Sequence, residues 1–426
     1  MSFSPVRFIR PVLFALCVIT ILVATGNQLF AQGTTRDALF GNLLGAESRL
    51  AERGIIADID LTQFYQGVSS GGADYTPKYG GKLDYNFIFM GEKLGLWKGF
   101  VTLMHAETRF GESVTNEGGA LAFPNVNMIY PSPVKQESAI TGLLLMQYFS
   151  ESFAVAAGKI NVLDFWSMVY PDSGRGIDGF MNLNSIVIGM PWLRFVNPSV
   201  SGAGALVMKG KQIRGGLLVF DTNNSTNTAG IDNLFDKGAC IMGMWRFFTN
   251  YGGKPGSHLF VGGWSSRTYT SLDRSDWTFL PGIGGGLTPG EKEGAWALAY
   301  NFEQLLWVDA RNPERKIRLF TGASLSDGNP SFARWGTLVS LEAFGLFRGR
   351  EKDRMGVSYF YNGVSEDFKQ LVSPVVQLED VQGVELYYNA AITNWFHLTG
   401  DMQVVDNENA SNDTAIILGL RGKVDF

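Results

Sequence analysis

The chain has 426 residues, with 35 Lys and Arg against 40 Asp and Glu and a formal charge of −5, so nothing in its charge balance points to nucleic acid. Three His make a His-ligated metal centre improbable as an organising feature. Gly (52), Phe (31), Tyr (14) and Trp (10) are abundant while 18% of the residues are charged, a composition suited to short strands, tight turns and aromatic girdles at two membrane interfaces.

Arg7 and Arg10 precede a charge-free apolar run from Val12 to Ala24, which is too short for a comfortable span and reads as a secretory signal. Cleavage after Ala31 fits, giving a signal peptide over residues 1–31, and a cut after Gly26 with Ala24 behind it is the alternative. Leu16 stands before Cys17, so the small residue that a lipoprotein signal needs is absent. Processing leaves Cys240 as the one cysteine, which excludes a disulfide framework and a Cys-based metal site. No apolar run of about 20 residues recurs to supply a membrane helix.

Residues 32–54 read as a periplasmic or plug segment. Within it, Asp37 to Arg53 places Leu39, Phe40, Leu43, Leu44 and Leu50 on one helical face with Asp37 able to cap the start. Period-2 alternation then begins, with Ile55, Ala57, Ile59 and Leu61 against Asp58, Asp60 and Thr62. It returns around Leu83–Met90, Trp97–Arg109, Ala139–Phe149, Phe153–Ile160, Ser201–Met208, Ile213–Asp221, Ala239–Thr249, Leu259–Tyr269, Ala295–Leu306, Lys316–Ser324, Gly336–Phe347, Met355–Asn362, Val384–Ala391, Trp395–Val405 and Ala415–Phe426. In the last stretch Ile416, Leu418, Leu420, Val424 and Phe426 share one column, while Arg421, Lys423 and Asp425 share the other. A strand with apolar and charged faces that closes on an aromatic residue favours an outer-membrane barrel over an edge strand of a soluble sandwich. Short connections such as Ser150–Ser152 and Thr393–Asn394 alternate with long polar ones such as Gly111–Ser138, Thr222–Lys237, Ser271–Gly294 and Ser365–Gly383. That parity predicts an all-β fold, a transmembrane antiparallel β-barrel over residues 55–426 with about 16 strands.

One connection is out of scale. Asn161 to Val200 carries Asp164, Trp166, Asp172, Arg175, Asp178, Trp192 and Arg194, and its apolar run Leu183–Met190 argues against disorder. The lumen of a wide barrel is the place to bury it, where it would narrow the pore. Side chains that alternate inward are Asp58, Asp60, Asp84, His105, Glu107, Arg109, Glu342, Glu385, Gln403 and Arg421. A sugar presents hydroxyls that donate and accept together with apolar C–H faces, so carboxylates, guanidinium groups and aromatic rings at close quarters suit it. The residues expected at the constriction are Asp164, Trp166, Arg175, Glu107, Arg109, Glu385 and Arg421.

Several stretches then resemble one family, the carbohydrate-selective porins of the bacterial outer membrane: Leu50-Ala51-Glu52-Arg53-Gly54-Ile55, Gly81-Lys82-Leu83-Asp84-Tyr85, Glu92-Lys93-Leu94-Gly95-Leu96-Trp97, Gly158-Lys159-Ile160-Asn161, Ser326-Asp327-Gly328-Asn329-Pro330, Glu385-Leu386-Tyr387-Tyr388, Asp401-Met402-Gln403 and Gly419-Leu420-Arg421. The resemblance runs in family order through nearly the whole mature chain. It departs at Leu43-Leu44-Gly45-Ala46-Glu47, where Trp and Gly-Gly are expected. It implies a sixteen-stranded pore in the outer membrane that passes mono- or oligosaccharides into the periplasm by facilitated diffusion, with sugars as solutes, outer-membrane lipid around it and no cofactor. Whether it assembles as a homotrimer or stays a monomer is left open, as is the sugar. The competing readings are a general diffusion porin with weak cation preference, a barrel-embedded hydrolase using His105, His397 or His258 with a Ser, and a structural barrel with no solute path.

Overall fold

The computed structural model describes residues 39, 46–129, 131, 137–210, 212–279 and 286–426. The signal peptide expected over residues 1–31 lies outside them, as does most of the N-terminal half of the expected helix.

Sixteen antiparallel strands close a barrel in which each strand pairs with its sequence neighbours and the first pairs with the last. They are β1 (Ile55–Ser70), β2 (Lys78–Met90), β3 (Phe100–Gly111), β4 (Glu137–Ser150), β5 (Phe153–Asn161), β6 (Ser199–Lys209), β7 (Gln212–Asp221), β8 (Ala239–Tyr251), β9 (Lys254–Thr270), β12 (Glu291–Val308), β13 (Lys316–Ser326), β14 (Ala333–Phe344), β15 (Arg354–Val364), β16 (Val381–Ala391), β17 (Phe396–Asp406) and β18 (Ala415–Asp425). Two-residue strands β10 (Thr278–Phe279) and β11 (Leu287–Thr288) form a separate ribbon in the loop between β9 and β12. Every segment expected from alternation overlaps one barrel strand. Closure runs through the pairs Asp60↔Asp425, Leu61↔Val424 and Phe64↔Arg421. It leaves the barrel no open edge, the condition for strands to sit in hydrocarbon.

The alternation decides what faces lipid. On β18, Ala415, Ile417, Gly419 and Arg421 are buried, while Ile416, Leu418 and Leu420 between them are partly exposed. Aromatic residues stand on the outer surface at both rims, with Trp97, Phe149, Phe153 and Tyr251 at the short turns and Tyr79, Trp264, Trp296 and Trp335 near the long loops. Rings there sit at headgroup depth, where an amphipathic side chain meets both media. The helix of the N-terminal segment spans Ala46–Glu52. It lies at the turn rim, where Lys93 Nζ donates to Ala51 O over 3.0 Å.

One departure from simple alternation shapes the interior. On β6 to β9 most of the inward column is apolar, with Leu206, Met208, Leu218, Phe220, Met244 and Leu259 all buried, and Arg246 among them lies over the Tyr170 ring at 4.2 Å. This column differs from the inward column of the last strand, which carries Arg421, Lys423 and Asp425. The reason for the difference is the long connection between β5 and β6, whose Phe165, Val169, Ile188, Trp192 and Phe195 join those strand residues in one hydrophobic cluster inside the barrel. This quarter of the wall has hydrocarbon on its outside and a protein core on its inside.

Candidate functional site: the lumenal loop and its charged wall

The loop begins with a cap. Asn161 ends β5, and its side-chain oxygen accepts from the amides of Leu163 (3.1 Å) and Asp164 (3.2 Å), starting the helix Val162–Val169 directly off the strand and turning the chain inward. Asp164 falls in the first turn of that helix, where a carboxylate is favoured by the backbone amides. After Tyr170 the chain makes tight bends at Gly174 (φ 65°) and Gly176 (φ 82°), a left-handed region that suits glycine. A second short helix, Leu183–Ile186, is capped by Asn182, which accepts from Asn184 N at 2.9 Å.

Side chains of the far wall seize the loop backbone. The Glu385 carboxylate on β16 accepts from Met181 N (2.5 Å) and Asn182 N (3.2 Å). Arg421 on β18 donates to Gly176 O (2.7 Å) and Thr399 Oγ1 (2.9 Å). Gln403 on β17 accepts from Asn182 Nδ2 (3.0 Å) and donates to Pro124 O (2.9 Å). Arg354 on β15 donates to Asp172 O and to Glu342 Oε1 (2.9 Å). The loop between β3 and β4 also enters the lumen, which alternation gave no sign of. Val126 N donates to Met181 O (2.8 Å), Leu183 N to Phe123 O (3.1 Å), and Asn125 Nδ2 to Gln66 Oε1 (2.6 Å). Two loops therefore brace one another across the barrel.

Two layers of charge result. Buried ion pairs form the wall: Lys82 bridges Glu107 and Asp84 (3.2 Å to Asp84), and Glu342 is held by Arg318, Arg354 and the Tyr387 hydroxyl (2.7 Å). In front of them stand charges that water reaches, with side chains exposed by 27% at Asp164, 21% at Arg175, 32% at Asp172 and 42% at Asp178. Arg175 Nη1 lies 2.8 Å from Asp164 Oδ1, and Lys316 Nζ lies 2.7 Å from Asp172 Oδ2. His105 joins the layers, with Nδ1 2.7 Å from Asp164 Oδ2 and Nε2 2.8 Å from Asp84 Oδ1. Two carboxylates on one imidazole ring are both satisfied as acceptors when both ring nitrogens donate.

Of the residues expected at the constriction, Asp164 and Arg175 come together as a solvent-reached pair on the loop. Glu107, Arg109, Glu385 and Arg421 are buried to within 2% of fully inaccessible, and Glu385 and Arg421 act on the loop backbone. Trp166 packs against Tyr170 (ring centroids 4.9 Å apart) and edge-on to Phe320 (6.2 Å), so its faces are already engaged. Lys316, Arg318, Arg354 and Glu303, which completes the pairing of Arg318 at 3.1 Å, were missed. Lys316 and Arg318 were legible, being in one column against outward Ile317 and Leu319, but Arg354 sits one residue before the segment alternation assigned to its strand.

His258 faces Tyr300 Oη at 2.7 Å, and His397 faces Asn389 Oδ1 at 2.9 Å. The ligand atoms of Asp84, His105 and Glu107, and those of Asp58, Asp60 and Asp425, lie close enough to share a cation. Lys82 already stands in the first group, and Lys423 Nζ is 2.7 Å from Asp425 in the second. A resident ammonium does the work a metal would do there.

The profile described as carbohydrate-selective porin, OprB family, matches residues 74–426. The chain belongs to this family. Among solved structures, the high-pH structure of OprB from Pseudomonas putida superimposes with a TM-score of 0.74 at 17% identity, covering 92% of this chain and 99% of that one. The low-pH structure of the same protein gives 0.55 at 14% identity, over 93% and 100% of the two chains. The outer-membrane-expressed OmpT of Vibrio cholerae gives 0.50 at 9% identity, over 87% and 97%. Comparison with curated proteins returns no match. This OprB-family chain is an outer-membrane porin for carbohydrates.

The buried cluster around Glu342 carries the first expected result. Glu342→Gln leaves two buried guanidinium groups facing a neutral amide, and breaking a buried pair of this kind costs about 3–5 kcal/mol. Thermal unfolding, followed by the gel shift of the folded barrel, should show a lower midpoint than wild type. An unchanged midpoint would mean that Arg318 and Arg354 are satisfied without it.

Proposed function

We propose that carbohydrate crosses the barrel along the solvent-reached charges of the loop, with Asp164 and Arg175 contacting the solute and the buried pairs behind them holding those two in place. The observation that carries this is the contrast in exposure between the Asp164–Arg175 pair and the inaccessible Glu385 and Arg421. A carboxylate beside a guanidinium offers adjacent acceptors and donors, the pattern that neighbouring sugar hydroxyls complement. Release requires the contact to stay weak. Sugar flux is therefore expected to saturate at millimolar concentration, about 4 kcal/mol of binding, and sugar is expected to reduce ion current reversibly. Liposome swelling with a panel of sugars, paired with bilayer recording, tests it. Current untouched by sugar at high concentration would favour a general diffusion pore.

Arg175→Ala separates the two readings further. Asp60, Asp84 and Asp164 lose a nearby cation, so the reversal potential should move toward cation selectivity, and sugar block should weaken roughly threefold to tenfold with the lost hydrogen bonds. A shift in selectivity with sugar block intact would place the sugar contact elsewhere. The fold and family describe a channel rather than an enzyme, and the residues around the three His support that reading, since His105 is clamped between two carboxylates in an ion-pair network.

A further inference from the structure

The strip of charge that water reaches does not end at Asp164 and Arg175. Three residues before Arg175, Asp172 places its carboxylate 2.7 Å from Lys316 Nζ, and three residues after it Asp178 lies 3.4 Å from Arg354 Nη1. The side chains of Asp172, Lys316 and Asp178 are 32%, 16% and 42% exposed, so water reaches this second cluster too. It stands against the opposite wall. His105, which holds Asp164, is on β3, and Lys316 is on β13, the eighth strand from β3 whichever way the ring of sixteen is followed.

The wall beneath the second cluster keeps it in place. Lys316, Phe344 and Arg354 form one cross-strand row on β13, β14 and β15, with the ammonium 5.0 Å and the guanidinium 4.6 Å from the centre of the Phe344 ring. A cation drawn to an aromatic face is held there before any solute arrives. Arg354 also donates to Asp172 O and to Glu342 Oε1, which ties the loop at Asp172 to the same row. Because only three residues separate Asp172 from Arg175, their Cα atoms stand no more than about 11 Å apart. A single pyranose ring seated on Asp164 and Arg175 leaves Lys316 to water, whereas a short chain of rings laid along the strip reaches both clusters.

We propose that Asp172, Lys316 and Asp178 form a second carbohydrate subsite, and that the two subsites together favour oligosaccharides of two or three rings over monosaccharides. The inference rests on the sugar path along Asp164 and Arg175 proposed above. Like that pair, a carboxylate beside an ammonium offers adjacent acceptors and donors to neighbouring hydroxyls. Contacts at two points on one solute compound, so each can stay weak enough for release.

Reversible block of the ion current by glucose, maltose and maltotriose, which carry one, two and three identical rings, tests it in planar bilayers. In the wild type the dissociation constant should fall roughly tenfold or more from glucose to maltotriose, as expected for added hydrogen bonds to charged groups and beyond the statistical gain of offering the first subsite more rings. Lys316→Gln and Asp172→Asn, which remove one charge each at nearly constant size, should bring the ratio of the two constants down to that statistical gain, and Lys316→Arg should keep most of the wild-type ratio. Should a variant fail to show the gel shift of the folded barrel, the length series in the wild type decides the matter. Block by glucose with no further gain for maltotriose, or a gain that survives both substitutions, would overturn the second subsite alone. Absence of block by all three sugars would overturn the Asp164–Arg175 path and the second subsite with it.

Discussion

Replacing residues 165–195 by a short Gly-Ser turn is expected to raise single-channel conductance roughly twofold or more and to admit larger solutes, because the sixteen-stranded barrel is wide enough for water once the loop is gone. The barrel should still assemble. Asn161 and Ser199 are paired at the ends of β5 and β6, so a tight hairpin connection can join the strands without altering their register. The cost falls on the interior. Leu218, Phe220, Met244 and Leu259 would lose their apolar partners and face water, at roughly 25 cal/mol for each Å² uncovered. The deletion variant should therefore conduct more and unfold at a lower temperature, read by planar-bilayer recording and by the gel shift of the folded form. Unchanged conductance would mean that the loop does not limit the pore.

Leu420→Lys should reduce the amount of folded protein in the membrane strongly, while Arg421→Leu should insert normally and fail differently. Leu420 is at the middle of β18 on the outward column, paired with Tyr65 and Gly400, and a Lys at the bilayer midplane costs about 2–4 kcal/mol. Arg421 points inward and is inaccessible to solvent, donating to the loop at Gly176 O. Its loss orphans that carbonyl and loosens the loop, so the variant is expected to show normal membrane yield with noisier or larger conductance. Membrane yield after outer-membrane fractionation and bilayer recording distinguish the two. Equal yields would reverse the assignment of the inner and outer faces of the last strand.

The family carries the sugar function, but this chain distributes the work unevenly around its wall. On β13 to β18 the inner surface carries Arg318, Glu342, Arg354, Glu385 and Arg421, and Arg354, Glu385 and Arg421 hold the lumenal loop by the backbone. On β6 to β9 it is mostly apolar and holds the same loop by packing. A guanidinium or carboxylate aimed at a peptide group fixes position and direction, whereas an apolar face supplies burial with little direction. The loop is anchored by the first and bulked out by the second. That is a reason for its single wide excursion to carry both Asp164, Asp172, Arg175 and Asp178 and the aromatic residues Trp166, Trp192 and Phe195.

What the amino-acid sequence determined by itself is the local period. Alternation has a repeat of two residues, so Ile416, Leu418 and Leu420 against Arg421 and Lys423 identified the strand, its lipid face and its lumen face without reference to any other segment. The alternation of short and long connections settled an even number of strands, and the length of Asn161–Val200 singled out the lumenal loop. Only the tertiary structure decided which inward charges meet water. Glu385 and Arg421 look as available as Asp164 and Arg175 when read along a strand, and they became loop anchors because segments far away in the chain, Met181–Asn182 and Gly176, come to lie over them. The same holds for the entry of the β3–β4 loop into the lumen and for the apolar inner wall of β6 to β9. Burial of an inward residue depends on what packs across the barrel from it, and that contact has no period in the sequence.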